Sequence, residues 1–466
     1  MKIWIDDDDE EEKDIDSSQE LLEEEPEEDN SDRCIVHAIF FELAFGAVLY
    51  LKSATAAFSY LIALAPLVVS TGILGSICYK KNGDMKLFRA ICCMSALGIG
   101  LQYLIDVKYS PVSEFSLIKF CISFLLSIIF LIFYGMIQKG LKYAFSVYLC
   151  MGISVSIYIV LYFFGYDPNG YGTNAWINIH GLTLQLTDFT KVCALFFYSS
   201  LFSCKYKEND TKVLLLSSIF FLLNLGGSLL IHELGSFFIL FFLHLVMLFM
   251  FLPHSFKKVV YILSVFIACF MSVALSFILY KALLPSYQNG TMPSLISKIW
   301  PFIRKIYERF SITANINNDP YGAGYQLLQA KKSLWMAGFF GNTVNFNSLP
   351  VAESDMAFVA MVSQLGWITG FMYLYFLCRV TCLGLRYTRM RIVKYRDEAI
   401  VVFGATIMLF LQAILVILGS CNILPLTGLP IPFLSRGSTY MTIVYCFVAL
   451  ILRSSCDKKE DYENEQ

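Results

Sequence analysis

The sequence predicts an all-α polytopic membrane protein of about 12 transmembrane helices with a long extracytoplasmic loop. Hydrophobic residues make up 57% and aromatics 16% of the 466 residues, and the mean hydropathy is +0.62, outside the soluble globular range. The apolar residues also gather in stretches of bilayer length, and Lys and Arg fall between those stretches in a one-sided way. A segment that crosses hydrocarbon must satisfy its own backbone polar groups, which a helix does.

Twelve apolar stretches run 34–51, 56–79, 87–105, 116–137, 143–165, 186–204, 213–231, 234–252, 259–280, 356–380, 399–419 and, shorter, 439–452. Most hold the roughly 20 residues that span a bilayer core. The even-numbered connections carry the cations: Lys80, Lys81 and Lys86; Lys139 and Lys142; Lys205, Lys207 and Lys212; Lys257 and Lys258; and Arg386 to Arg396. Cytoplasmic loops accumulate Lys and Arg, so both termini are expected in the cytoplasm and 281–355 outside.

The net charge of −2 hides a split. The first 33 residues hold 17 acidic and 3 basic side chains, leaving the remainder at +12. An acidic run such as Asp6 to Glu12, without apolar periodicity, cannot bury enough surface to fold, so 1–33 is expected to be a disordered cytoplasmic tail. A cleavable signal peptide would begin with a basic n-region; this chain begins with an acidic one. Most of the 14 cysteines lie in apolar stretches and none in 281–355, so they are expected to pack as small apolar residues.

Ionisable groups inside spans are costly and point to function or pairing. Asp188 and Lys191 stand three apart in the sixth stretch, on one helix face; they are expected to form a structural ion pair or to line a pathway. Glu42, in the first stretch, has no partner in its own helix and is expected to be neutral or paired toward the bundle. His232-Glu233 links two stretches, and because position 236 is Ser it is not an H-E-x-x-H zinc motif.

After Pro293, apolar residues recur at helical spacing (Ile296, Ile299, Trp300, Ile303, Ile306, Tyr307, Phe310) among Lys298, Arg304, Lys305 and Arg309. This predicts an amphipathic basic helix, lying either on the membrane surface or as a lid packed on the protein. Ser354 and Asp355, just before the tenth stretch, read by themselves as helix-capping residues.

Three segments carry a more specific signal: Asn318-Asp319-Pro320-Tyr321-Gly322-Ala323-Gly324-Tyr325-Gln326; Leu349-Pro350-Val351-Ala352-Glu353-Ser354-Asp355; and the run from Leu424-Pro425 through Pro430-Ile431-Pro432 to Ser435-Arg436-Gly437-Ser438. With them the chain resembles the SEDS family (shape, elongation, division and sporulation; RodA/FtsW/SpoVE-like), as a divergent member. Trp176-Ile177, Gly181, Gln185 to Asp188 with Lys191, and His232 to Ser236 are similar to further family segments. Arg309, ten residues before Asp319, matches an upstream basic residue of the family. The resemblance covers roughly residues 87 to 454. It divides the chain into the tail 1–33, two extra N-terminal helices in 34–86, a core of 87–455 that includes the loop 281–355, and a C-terminal tail 456–466. The chain departs from the family where Ser363-Gln364-Leu365-Gly366 replaces E-E-x-G, Arg436-Gly437 stands in S-Y-G-G-S, Ala175 replaces an arginine and Leu186 a proline.

The resemblance implies a peptidoglycan glycan-chain polymerase. It would transfer the growing chain from undecaprenyl diphosphate to the GlcNAc 4-hydroxyl of lipid II on the outer leaflet, in elongation, division or sporulation. Asp355 matches the family's catalytic aspartate and is expected to be the general base, and a candidate ligand for a divalent cation (Mg or Mn). Arg309, Lys331 and Lys332 are candidates for the diphosphates, and Gln326 and Ser435 for other substrate contacts. The implied partner is a class B penicillin-binding protein, since no transpeptidase motif is present; the implied location is the bacterial plasma membrane. Nucleic acid is not an expected partner. Two alternatives remain open: a catalytically silent scaffold for such a partner, and a transporter of lipid-linked precursors.

Overall fold

The computed structural model describes residues 31–108, 117–168, 172–179, 182–203, 210–233, 235–252, 256–322, 324–342 and 349–456. Most of the acidic tail, Gly181 and residues 457–466 of the C-terminal tail lie outside the described residues. The helices are α1 (Ser31–Lys52), α2 (Ala54–Lys80), α3 (Met85–Lys108), α4 (Leu117–Leu141), α5 (Phe145–Phe164), α6 (Thr187–Ser203), α7 (Asp210–Leu230), α8 (Gly235–Phe251), α9 (Phe256–Gln288), α10 (Ser294–Ala314), α11 (Tyr325–Met336), α12 (Ala357–Leu365), α13 (Trp367–Arg391), α14 (Arg396–Ser420) and α15 (Ser438–Cys456). Between α5 and α6 lies an antiparallel hairpin, β1 (Trp176–Ile179) with β2 (Leu182–Gln185), in which Trp176 faces Gln185.

Among the described residues, ten helices are long and apolar enough to cross a membrane, with α8 a shorter apolar one. The chain is thus a multi-pass membrane protein, and three of the twelve expected stretches take a form other than one long apolar helix. The sixth stretch folds as α6, 17 residues long among the described residues and with Asp188 and Lys191 in its first turns. The eighth stretch is also only 17 residues of helix. The tenth is broken in two at Gly366, whose φ of 92° lies in the left-handed region. A Cβ there would stand 2.0 Å from the Phe339 carbonyl oxygen, so only glycine lets the segment after α11 close on the break. The Trp367 N–H donates to the Gly338 carbonyl across it (3.1 Å). The expected loop 281–355 also begins later, because α9 runs on to Gln288.

The interior is built on α3, α6, α14 and α15. α14 packs on α6, α8, α13 and α15, and α3 packs on α1, α2 and α13. Most side chains of α6 and α14 are buried. Large apolar side chains on α1, α2, α4, α5, α7 and α9 point outward, among them Phe40, Phe58, Ile132, Phe163, Leu222 and Phe270, as a lipid-facing belt requires. Glu42 finds its partner on the neighbouring helix: the Thr71 hydroxyl of α2 donates to Glu42 Oε1 at 2.7 Å. The amphipathic helix α10 packs on α9, burying Trp300, Ile303 and Ile306. This is packing on the protein, one of its two expected placements.

Candidate active site

At one end of the bundle the hairpin, the α7–α8 link, α10, α11, the turn before α12 and the segment between α14 and α15 enclose a cavity of about 1030 Å³. Asp355, Arg309, Gln326 and Ser435 all line it, as do Lys305, Glu233, Gln102 and Arg436. Three residues that line it, Trp300, Thr427 and Tyr440, each carry a buried polar side-chain atom with no hydrogen-bond partner among the described residues.

Asp355 stands on a tight turn. The Val351 carbonyl accepts from the N–H groups of Ser354 and Met356, both at 3.2 Å, and Val351 itself has φ of 55°. A β-branched residue in that region is strained, at about 1–3 kcal/mol, and persists only when its surroundings over-determine it. Here they do. Ser435 Oγ donates to the Ser354 carbonyl at 2.6 Å, the Arg436 N–H to the Glu353 carbonyl at 2.7 Å, and Gln102 Nε2 to the same carbonyl at 3.3 Å. The α12 helix begins after Met356 with no side-chain cap bond. The Asp355 carboxylate is therefore free of the capping role that its position in the sequence suggests.

Burial pushes the Asp355 carboxyl up to about 6; its own backbone N–H, Arg309 and the Gln326 amide favour the ionised form, and Glu353 opposes them. Arg309 keeps some accessible surface, as a cavity-lining residue does, yet lies deep enough that burial lowers its value, against the pull of Asp355 and Glu233. One N–H of Arg309 donates to the Thr427 carbonyl at 2.9 Å. One turn earlier on α10, Lys305 donates to Thr173 Oγ1 and to the His232 carbonyl at 3.1 Å. Burial and then Arg309 bring Lys305 down to about 8, with Glu233 and Asp167 opposing. Burial also raises Glu233, although Ser236 donates to it at 2.6 Å and Lys191 lies close enough to favour its ionised form.

Two expected substrate residues are placed differently. Lys331 and Lys332 are exposed on α11 and do not line the cavity, because α11 turns its buried face, with Leu327, Ala330 and Ser333, inward instead. Ser435 lines the cavity but is engaged on both sides, accepting from the Ile431 N–H at 2.7 Å while donating to Ser354; it holds the turn. Lys191 donates to Asp188 at 2.6 Å and to Gln412 at 3.2 Å, all fully buried. Ala175, where the resemblance has an arginine, packs in an apolar cluster with Tyr158, Leu161 and Ile231. Lys305, Glu233 and Gln102 were not among the expected site residues. Lys305 carried one usable signal: it lies four residues before Arg309, on the same helix face.

The family model for the FtsW/RodA/SpoVE cell cycle proteins matches residues 85–460, beginning at the first residue of α3. A probable peptidoglycan glycosyltransferase FtsW of Lactococcus lactis is 24% identical over 318 residues, covering 62% of this chain and 70% of that protein. Another, from Haemophilus ducreyi, is 27% identical over 312 residues, covering 65% and 69%. In three dimensions, a chain from a solved peptidoglycan synthase complex superposes with a TM-score of 0.59 at 18% identity, covering 81% of this chain and 99% of that one. That likeness speaks for the fold. By the family match over 85–460, the chain belongs to the FtsW/RodA/SpoVE family of cell cycle proteins.

Proposed function

We propose that this protein is a peptidoglycan glycosyltransferase that polymerises lipid II in the cavity around Asp355. The observation that carries the proposal is a buried carboxylate, raised toward neutrality, sharing one polar cavity with the cations Arg309 and Lys305. In the transfer, the GlcNAc 4-hydroxyl oxygen of lipid II attacks the anomeric carbon at the reducing end of the growing chain. The bond from that carbon to the diphosphate breaks, and its electron pair leaves with undecaprenyl diphosphate. The hydroxyl proton passes to Asp355. A base with a value near 6 is ionised at neutral pH and still basic enough to take a proton in the transition state. Arg309 and Lys305 face the charge that grows on the departing diphosphate, in a site where such charges act more strongly than in water.

Among the described residues, no group of three or more His, Cys, Asp or Glu side chains is arranged to hold a metal. A divalent cation such as Mg or Mn would take Asp355 as its protein ligand and substrate phosphates as others; the proton transfer is derived without it. By the Lys and Arg bias of the short loops, both termini are cytoplasmic and the cavity opens toward the outer leaflet of the bacterial plasma membrane. A class B penicillin-binding protein would supply cross-linking. The test is to give the purified full chain lipid II, with and without such a partner, and separate the products by length. A ladder of glycan chains supports the proposal. Lipid II left unreacted by correctly folded protein with its partner would reject it in favour of a silent scaffold.

A further inference from the structure

Four aromatic rings from α9 and α10 form a continuous stack that ends at the cavity. Tyr307 lies on Tyr280 with centroids 3.8 Å apart and planes 9° apart. Tyr280 lies against Trp300 at 5.3 Å and 6°, and Trp300 against Tyr287 at 5.0 Å and 28°. Trp300 is enclosed at 3% exposure, while Tyr287, the terminal ring, is 48% exposed. Tyr287 and Trp300 both line the cavity, and so do Arg304 and Glu308 beside them, joined by an ion pair of 2.6 Å.

Tyr and Trp near the end of a membrane helix are commonly interface anchors, with their rings among the lipid headgroups. These two rings border the polar cavity instead. The outer ring has one face covered by Trp300, and its partner is locked between two neighbours. Such a platform binds without first losing its own freedom. An aromatic face is electron-rich and meets the polarised C–H bonds on the flat face of a pyranose, while a carboxylate and a guanidinium at its edge accept from and donate to the sugar hydroxyls.

We propose that Tyr287, backed by Trp300 and flanked by Arg304 and Glu308, is a glycan-binding subsite that holds a sugar ring of the growing chain at the mouth of the cavity. This rests on the proposed polymerase activity, because the glycan it holds is the product of that reaction. The subsite keeps the chain attached between additions, so it sets product length.

The test uses the purified full chain with soluble peptidoglycan glycan fragments as the probe, binding being read by tryptophan fluorescence, and lipid II as the substrate for product length. Tyr287→Leu keeps an apolar cover over Trp300 and removes the aromatic face; Tyr287→Phe keeps both. Tyr287→Leu is expected to weaken fragment binding by about tenfold and to shift the glycan ladder to shorter chains, while Tyr287→Phe stays near wild type in both. Should Tyr287→Leu bind fragments and build chains as long as wild type does, the subsite is wrong while the polymerase reading stands. A wild-type protein that binds fragments but makes no polymer would count against the polymerase reading and not against a glycan site. Wild type that binds no fragment would overturn the subsite.

Discussion

The backbone N–H of Arg436 donates to the carbonyl of Glu353, two residues before Asp355. The segment between α14 and α15 thereby holds the turn that carries the carboxylate. Ser435 makes the neighbouring bond to Ser354. Ser435→Ala should leave a buried carbonyl and the Ile431 N–H without a partner, at about 1–3 kcal/mol, read as a lower melting temperature in detergent. Because Ser435 positions the base, kcat should fall with KM nearly unchanged. A raised KM at unchanged kcat would instead make it a substrate ligand.

The pH profile of polymerisation should have two limbs. Asp355, raised to about 6, is protonated below that value and cannot take a proton, so the rate should fall as pH is lowered through it. Lys305, lowered to about 8, loses its charge above that value, so a second fall should follow on the alkaline side. Lys305→Arg, which stays charged throughout, should remove the alkaline limb and leave the acid limb in place. An alkaline limb that persists in that variant would assign it to another group.

Lys191 is bonded to both Asp188 and Gln412 in a fully buried site. Removing one partner of a buried pair leaves an uncompensated charge at about 3–5 kcal/mol. Lys191→Met should therefore lower the yield of folded protein, and adding Asp188→Asn should recover part of it. If Lys191→Met folds normally and only polymerisation is lost, the pair belongs to the chemistry.

Tyr321 and Val393 are both highly exposed and lie on opposite sides of the proposed membrane. On a background without reactive thiols, Tyr321→Cys should react with an impermeant reagent in whole cells and Val393→Cys should react only after lysis. The reverse pattern would invert the topology.

How much of this is legible in the sequence follows from which constraints are local. Bilayer length and backbone satisfaction act on each segment by itself, so apolar runs locate α1 to α9 and α12 to α15, whereas α10 shows only as an amphipathic pattern and α11 leaves no such signal. The break at Gly366 escapes that logic, because 356–380 is one apolar run and the reason for the break is the Phe339 carbonyl, distant in sequence. The hairpin 176–185 is too short to register against long apolar neighbours. In the site, the motif residues Asp355 and Arg309 could be named from the sequence, and both line the cavity. Lys331 and Lys332 share their residue type with Lys305, and only the packing of α10 on α9 and of α11 on the core decides which lysines face inward. The two bonds that occupy Ser435 are likewise invisible before folding, since its donor and acceptor partners come from different loops.

The central claim is that Asp355 is the base for glycan polymerisation, and the most direct measurement is the rate at which purified Asp355→Asn lengthens glycan chains from lipid II. A carboxamide cannot accept the proton, and a positioned general base contributes about 100-fold to 10,000-fold. No helix cap is lost with the carboxylate, so folding should be preserved. Glu353→Gln, two residues away and also lining the cavity, serves as the matched control and should have the milder effect. Loss of at least about 100-fold in Asp355→Asn at wild-type melting temperature is the predicted result. Folded Asp355→Asn protein that extends chains at a rate near wild type would contradict it.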